Sequence, residues 1–100
     1  MPYLRVSIAV WKVDVQCAEG QAIIQKVRDE AVPMLRRLPG FVRFQGAIAG
    51  PRATTTVMEW DSEGHAQAGL QPYAEWLQSS GIRQQLESLD AYLGEVIVST

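Results

Sequence analysis

The chain is poor in several things that would each point to a function. It has one cysteine, Cys17, so no internal disulfide can form, which fits a reducing cytoplasm. One cysteine and one histidine cannot supply the four ligands of a structural zinc site. Nine Lys and Arg stand against 11 Asp and Glu, a net charge of −2. No basic stripe exists to neutralise phosphates, so nucleic acid is not an expected partner. The apolar run "VSIAVW" is too short to span a bilayer, and no basic leader or small-residue cleavage site accompanies it. A cytoplasmic protein without membrane contact is the expectation. Asparagine is absent altogether.

What is present suits one ordered domain over residues 1–100. Hydrophobic residues make up 47% and charged residues 20%, the balance of a soluble globular chain with a single core. No repeat, linker or low-complexity stretch divides it. Residues 3–13, "YLRVSIAVWKV", alternate with period two and predict a strand. One side carries Leu4, Val6, Ile8 and Val10; the other carries Tyr3, Arg5, Ser7, Ala9 and Trp11. From Cys17 to Leu38 the apolar residues Ile23, Val27, Ala31, Leu35 and Leu38 recur at helical spacing, with Pro33 expected to kink the helix.

"LPG" at 38–40 stops that helix. "FVRFQGAIA" then reads as a second strand, with Val42, Phe44 and Ile48 on one face and Phe41, Arg43 and Gln45 on the other. After a turn at 50–52, "ATTTVMEW" is a third strand rich in β-branched residues. Asp61 or Ser62 caps a second helix carrying Ala66, Leu70, Tyr73, Trp76 and Leu77, which Pro72 is expected to break or bend. Ile82, Leu86 and Leu89 suggest a short further helix, and "AYLGEVIVS" a fourth strand. The order β-α-β-β-α-β with right-handed crossovers gives an α+β, ferredoxin-like subunit: a four-stranded antiparallel sheet with helices on one face.

The aliphatic side of the first strand is expected beneath the helices. That leaves Tyr3, Trp11, Phe41 and Ala47 beside Arg5, Arg43 and Gln45 on a bare face. So much aromatic surface is rarely left in water, and a second copy packed sheet to sheet would cover it. A homodimer is therefore expected.

"LPGFVRFQG", "TTTVMEWDSEGHAQA" and "WLQSS" together resemble the antibiotic-biosynthesis-monooxygenase-like (ABM) proteins of the dimeric α+β barrel superfamily. The resemblance spans nearly the whole chain and implies the ferredoxin-like fold and the dimer. The superfamily includes cofactor-free oxygenases, heme-degrading oxygenases, cyclases and isomerases, so fold alone does not fix the chemistry. The heme-degrading branch uses an asparagine on the first strand, a tryptophan late in the second helical region and, further on, a histidine that ligates iron. Here Trp11 and Leu86 stand at the asparagine and histidine positions, and only Trp76 matches, which disfavours heme as ligand.

The resemblance implies instead a monooxygenase-like enzyme without metal, flavin or other cofactor, acting on a small aromatic or polyketide-type molecule. A polyphenol that loses a proton becomes an electron-rich anion able to reduce dioxygen, and the protein then supplies a dry cavity and a few donors. Arg43, Arg5 and His65 are the candidates for stabilising the anion or removing the proton. Trp76, Trp11, Tyr73 and Trp60 are candidates for aromatic walls and donors. Each has a plainer reading. His65 suits an exposed first helical turn, Trp60 a core plug, Tyr73 a core tyrosine, and Trp11 a dimer seam. A protein that holds a small hydrophobic ligand without turnover remains an alternative.

Overall fold

A computed structural model describes residues 1–100. The elements run β1 (Tyr3–Trp11), α1 (Ala18–Lys26), a π-helical segment (Val27–Ala31), α2 (Val32–Arg36), β2 (Phe41–Gly50), β3 (Ala53–Trp60), α3 (Glu63–Ser79), a 3-10 turn (Ile82–Gln85) and β4 (Leu86–Glu95). The strands form one antiparallel sheet in the order β2-β3-β1-β4. This is the ferredoxin-like βαββαβ arrangement. No helix is long and apolar enough to cross a membrane.

The sheet faces are the reverse of the expectation from β1. Arg5, Ser7, Ala9 and Trp11 are buried, and this is the side the helices cover. Leu4, Val6, Ile8 and Val10 lie on the open side, with Ile8 47% exposed. Both faces of β1 are rich enough in apolar groups to be buried, so alternation sorts the residues into two sets without saying which set faces inward. The register extends the division across the sheet. Met58, Thr56 and Thr54 of β3 lie opposite Arg5, Ser7 and Ala9, while Val57 lies opposite Val6 on the open side.

Three register shifts interrupt the ladders, and two of them change which side chains share a face. In β2 the register shifts between Phe41 and Arg43, so Phe41 and Phe44 face the same way, opposite Trp60 and Met58. Phe41 therefore stands under the helices, edge-on to Trp60 with centroids 5.3 Å apart. Arg43 falls on the open face, paired to Glu59 at 3.1 Å. In β4 a second shift opposite Val10 and Trp11 places Leu86 and Leu89 on one face. The stretch expected to be a short helix is thus a 3-10 turn followed by strand. β4 ends at Glu95, earlier than the sequence suggested.

The two prolines leave different marks on their helices. Ahead of Pro33 the helix widens into the π-helical segment, where the Val32 N–H reaches back five residues to the Val27 carbonyl. A wider turn relieves the crowding a proline ring imposes on the carbonyl one turn earlier. Pro72 neither breaks α3 nor ends it, and the helix runs unbroken to Ser79. Ser62 caps its start, its hydroxyl accepting from the His65 N–H at 3.2 Å. Gly69 lets α3 press against Trp60, whose ring occupies the place a Cβ would take.

Candidate functional site

The packing leaves a cavity of about 480 Å³ between the sheet and α1, within the range of about 300–1,000 Å³ that holds small ligands. Its floor is the helix-side face of the sheet: Arg5, Ser7, Ala9 and Trp11 of β1, with Thr54 and Thr56 of β3. Ile23, Ile24 and Val27 form the roof, and Tyr73 and Leu77 of α3 close one side. Ile48, 51% exposed, stands at the rim on edge strand β2. The π-helical segment contributes Val27 and Arg28, so the widened turn before Pro33 is part of the wall.

Most polar groups of the floor satisfy one another. The Ser7 and Thr56 hydroxyls lie 2.7 Å apart, and the Trp11 Nε1–H donates to Thr54 Oγ1 at 3.0 Å. Arg5 is the exception. It is 7% exposed, its Nε has no hydrogen-bond partner, and none of the ion pairs includes it. A buried cation without a counter-charge costs several kcal/mol. Its one favourable neighbour is the Tyr73 ring, whose centroid lies 5.3 Å from Arg5 Cζ, a cation–π contact worth about 0.5–2 kcal/mol.

Desolvation lowers the Arg5 pKa, and the nearby Tyr73 opposes that shift. Burial raises the Tyr73 phenol, and the Arg5 charge pulls it down by less. Both shifts have the same origin, burial of the two neighbouring groups in the wall. No aspartate, glutamate, histidine or cysteine lines the cavity, and no cluster of three such residues that could hold a metal occurs anywhere. A heme in this space would find neither an imidazole nor a thiolate for its iron.

Of the residues singled out in the sequence, the structure brings Arg5, Trp11 and Tyr73 together in this wall. The others lie elsewhere. Trp60, 1% exposed, plugs a second core cluster with Leu35, Met58 and Ala66. Trp76 stands behind Tyr73, their rings stacked at 6.0 Å, and its Nε1–H donates to Glu30 at 3.2 Å. Arg43 is on the opposite face of the sheet. His65 is exposed at the start of α3, its Nδ1 2.7 Å from Asp61 Oδ1, an interaction that lowers the Asp61 pKa.

Ser7, Thr54 and Thr56 were missed as wall residues. The "TTT" run read only as β-branched strand, although period two already groups Thr54 and Thr56 with Met58 and Trp60. The roof residues Ile23 and Val27 read as core, because helical spacing cannot distinguish a face that touches a sheet from one that spans a gap.

No protein-family profile matches the chain, and no curated protein sequence does. Solved structures do match, and they define a fold class first. A dimeric ferredoxin-like protein from an uncultured marine organism superposes with a TM-score of 0.76 at 10% identity, over 99% of this chain and 98% of that one. More particular likenesses follow, one of them to an oxygenase. SnoaB, a cofactor-independent oxygenase from Streptomyces nogalater, gives a TM-score of 0.76 at 13% identity, covering 98% of this chain and 95% of that one. HapK from Hahella chejuensis gives 0.72 at 20% identity, over 100% and 96%. The chain has the ferredoxin-like α+β fold of these proteins, in keeping with its resemblance to the ABM-like group.

Proposed function

We propose that the protein is a cofactor-independent, monooxygenase-like enzyme that oxidises a small aromatic or polyketide-type molecule in the cavity between sheet and helices. The observation that carries this reading is the convergence of Arg5, Tyr73 and Trp11 on a mostly apolar space of about 480 Å³. The fold likeness to a cofactor-independent oxygenase supports it. In such a reaction an activated CH₂ of the substrate loses a proton, and the resulting anion reduces dioxygen. One oxygen atom ends in a new carbonyl and the other leaves as water. Arg5 stabilises the anion from its buried place on the floor, where a fixed charge acts more strongly than in water. Trp11 and Tyr73 hold the ring system flat against the floor.

The working form is a homodimer assembled through the open sheet face. Val6, Ile8, Val10 and Val57 form an apolar centre there, bordered by the Arg43–Glu59 pair. Buried side chains of this kind contribute about 1.5–3 kcal/mol each when covered.

Oxygen uptake with an anthrone-type polyphenol tests the activity. Ile23→Trp, which fills the cavity from its roof, is expected to reduce the rate by about tenfold or more. Arg43→Ala, on the far face, should leave it unchanged. Uptake no faster than in buffer would remove the enzyme reading. A non-catalytic carrier of the same kind of molecule would then stand, a reading favoured by the lack of any carboxylate or imidazole base in the wall.

A further inference from the structure

Taking the cavity as the ligand site, as proposed above, we infer that its occupant is an acidic aromatic molecule bound as its anion, with Arg5 as the counter-charge that selects it. The inference begins from the place of Arg5 in the fold. The residue sits on central strand β1, flanked by Met58 of β3 and Leu93 of β4, neither of which carries a charge. From α3 it meets the ring of Tyr73, whose phenol burial keeps neutral. Arg28 of the π-helical segment, the other charged group of the wall, has the same sign. The chain's ion pairs, Arg43 with Glu59, Arg52 with Glu87 and His65 with Asp61, all lie elsewhere.

Nothing in the protein therefore neutralises the Arg5 guanidinium, and its Nε–H is a buried donor without an acceptor. Buried donors left unmatched are rare unless a ligand completes them. An oxyanion supplies both missing parts, the acceptor and the charge, and a guanidinium is suited to bind it. The rest of the ligand is set by the walls. Ile23, Ile24, Val27 and Leu77 give an inorganic ion nothing to contact, so the anion must carry a sizeable apolar body. Phenolates, enolates and carboxylates conjugated to rings share this chemistry. The proton balance is simple: the acid's O–H bond breaks, the proton passes to bulk water because no base lines the wall, and the oxyanion remains opposite Arg5.

Two pairs of probes test this on the intact protein. 7-Hydroxycoumarin and 2-naphthoate can be anions; 7-methoxycoumarin and methyl 2-naphthoate cannot. The wild type is expected to bind at least one acid about tenfold or more tightly than its neutral partner. If that acid is the phenol, its apparent pKa should fall by about one unit or more on binding, the equivalent of that preference. The arm that shows the preference distinguishes phenolate from carboxylate. Arg5→Met should equalise each pair while still binding the neutral probes, and Arg5→Lys should keep part of the preference. Arg5→Met should also melt no lower than the wild type, because an unmatched buried charge has been replaced by an apolar chain of similar length. Equal binding of acid and neutral probes by the wild type would overturn the inference and leave the cavity reading intact. Failure of all four probes to bind would overturn both. A lower melting temperature for Arg5→Met, with the anion preference retained, would make Arg5 a structural residue and also overturn the inference.

Discussion

Tyr73 shows how much one side chain reveals about the wall around it. Burial raises its phenol above the ordinary value of 10, and the Arg5 charge only partly offsets that. The folded state thus holds the phenolic proton more tightly than the unfolded chain does. The associated stability is present below pH 10 and is lost as pH rises from there through the folded value. In urea unfolding followed on either side of that pH, the wild type should lose stability relative to Tyr73→Phe on the alkaline side only. Parallel pH profiles would mean that the phenol is in water. At this scale the sequence was informative about residue type and silent about side. Arg5 and Arg43 are both cations on strands and looked alike as candidates, yet one lies opposite Met58 inside and the other opposite Glu59 outside. His65 stood out because it is the only histidine, which says nothing about where its ring points.

Among the elements, those with unbroken periodicity were legible and those with an extra residue were not. β3 was read to its ends, from Ala53 to Trp60. β4 was misread because its bulge puts Leu86 and Leu89 on one face three residues apart, the spacing of a helix. The β2 bulge did the same to Phe41 and Phe44 and misplaced Phe41. Pro72 was expected to break or bend α3, but packing on either side carries the helix across it unbroken: Gly69 against Trp60 before it, Leu77 in the core after it. That contact is a test of the element. Gly69→Ala would gain helix propensity of roughly 1 kcal/mol. The added methyl would fall inside the Trp60 ring, so overpacking of about 1–3 kcal/mol should outweigh the gain. Chemical denaturation should show a net loss of stability. A net gain would mean that α3 can shift away from the sheet.

For the molecule as a whole, the sequence was right about the order of elements and wrong about which face of the sheet the helices cover. It assigned rings and guanidinium groups to the uncovered side and called on a second subunit to cover them. The structure leaves the aliphatic side uncovered and forms the cavity within one chain, between sheet and helices. Dimer and cavity are therefore separable. Val57→Asp places a charge at the centre of the open face, where leaving it unpaired on association costs several kcal/mol. Light scattering should show the mass falling from twice 11.1 kDa to 11.1 kDa, while the far-ultraviolet circular dichroism and the binding of 7-methoxycoumarin persist. Loss of both would mean that the subunit cannot hold its cavity alone.

The open aliphatic face has one further consequence. Joined through it, the two subunits would stand back to back, their chambers opening on opposite flanks with two sheets as a common partition. Such a particle is a pair of separate vessels, and each would fill as though the other were absent.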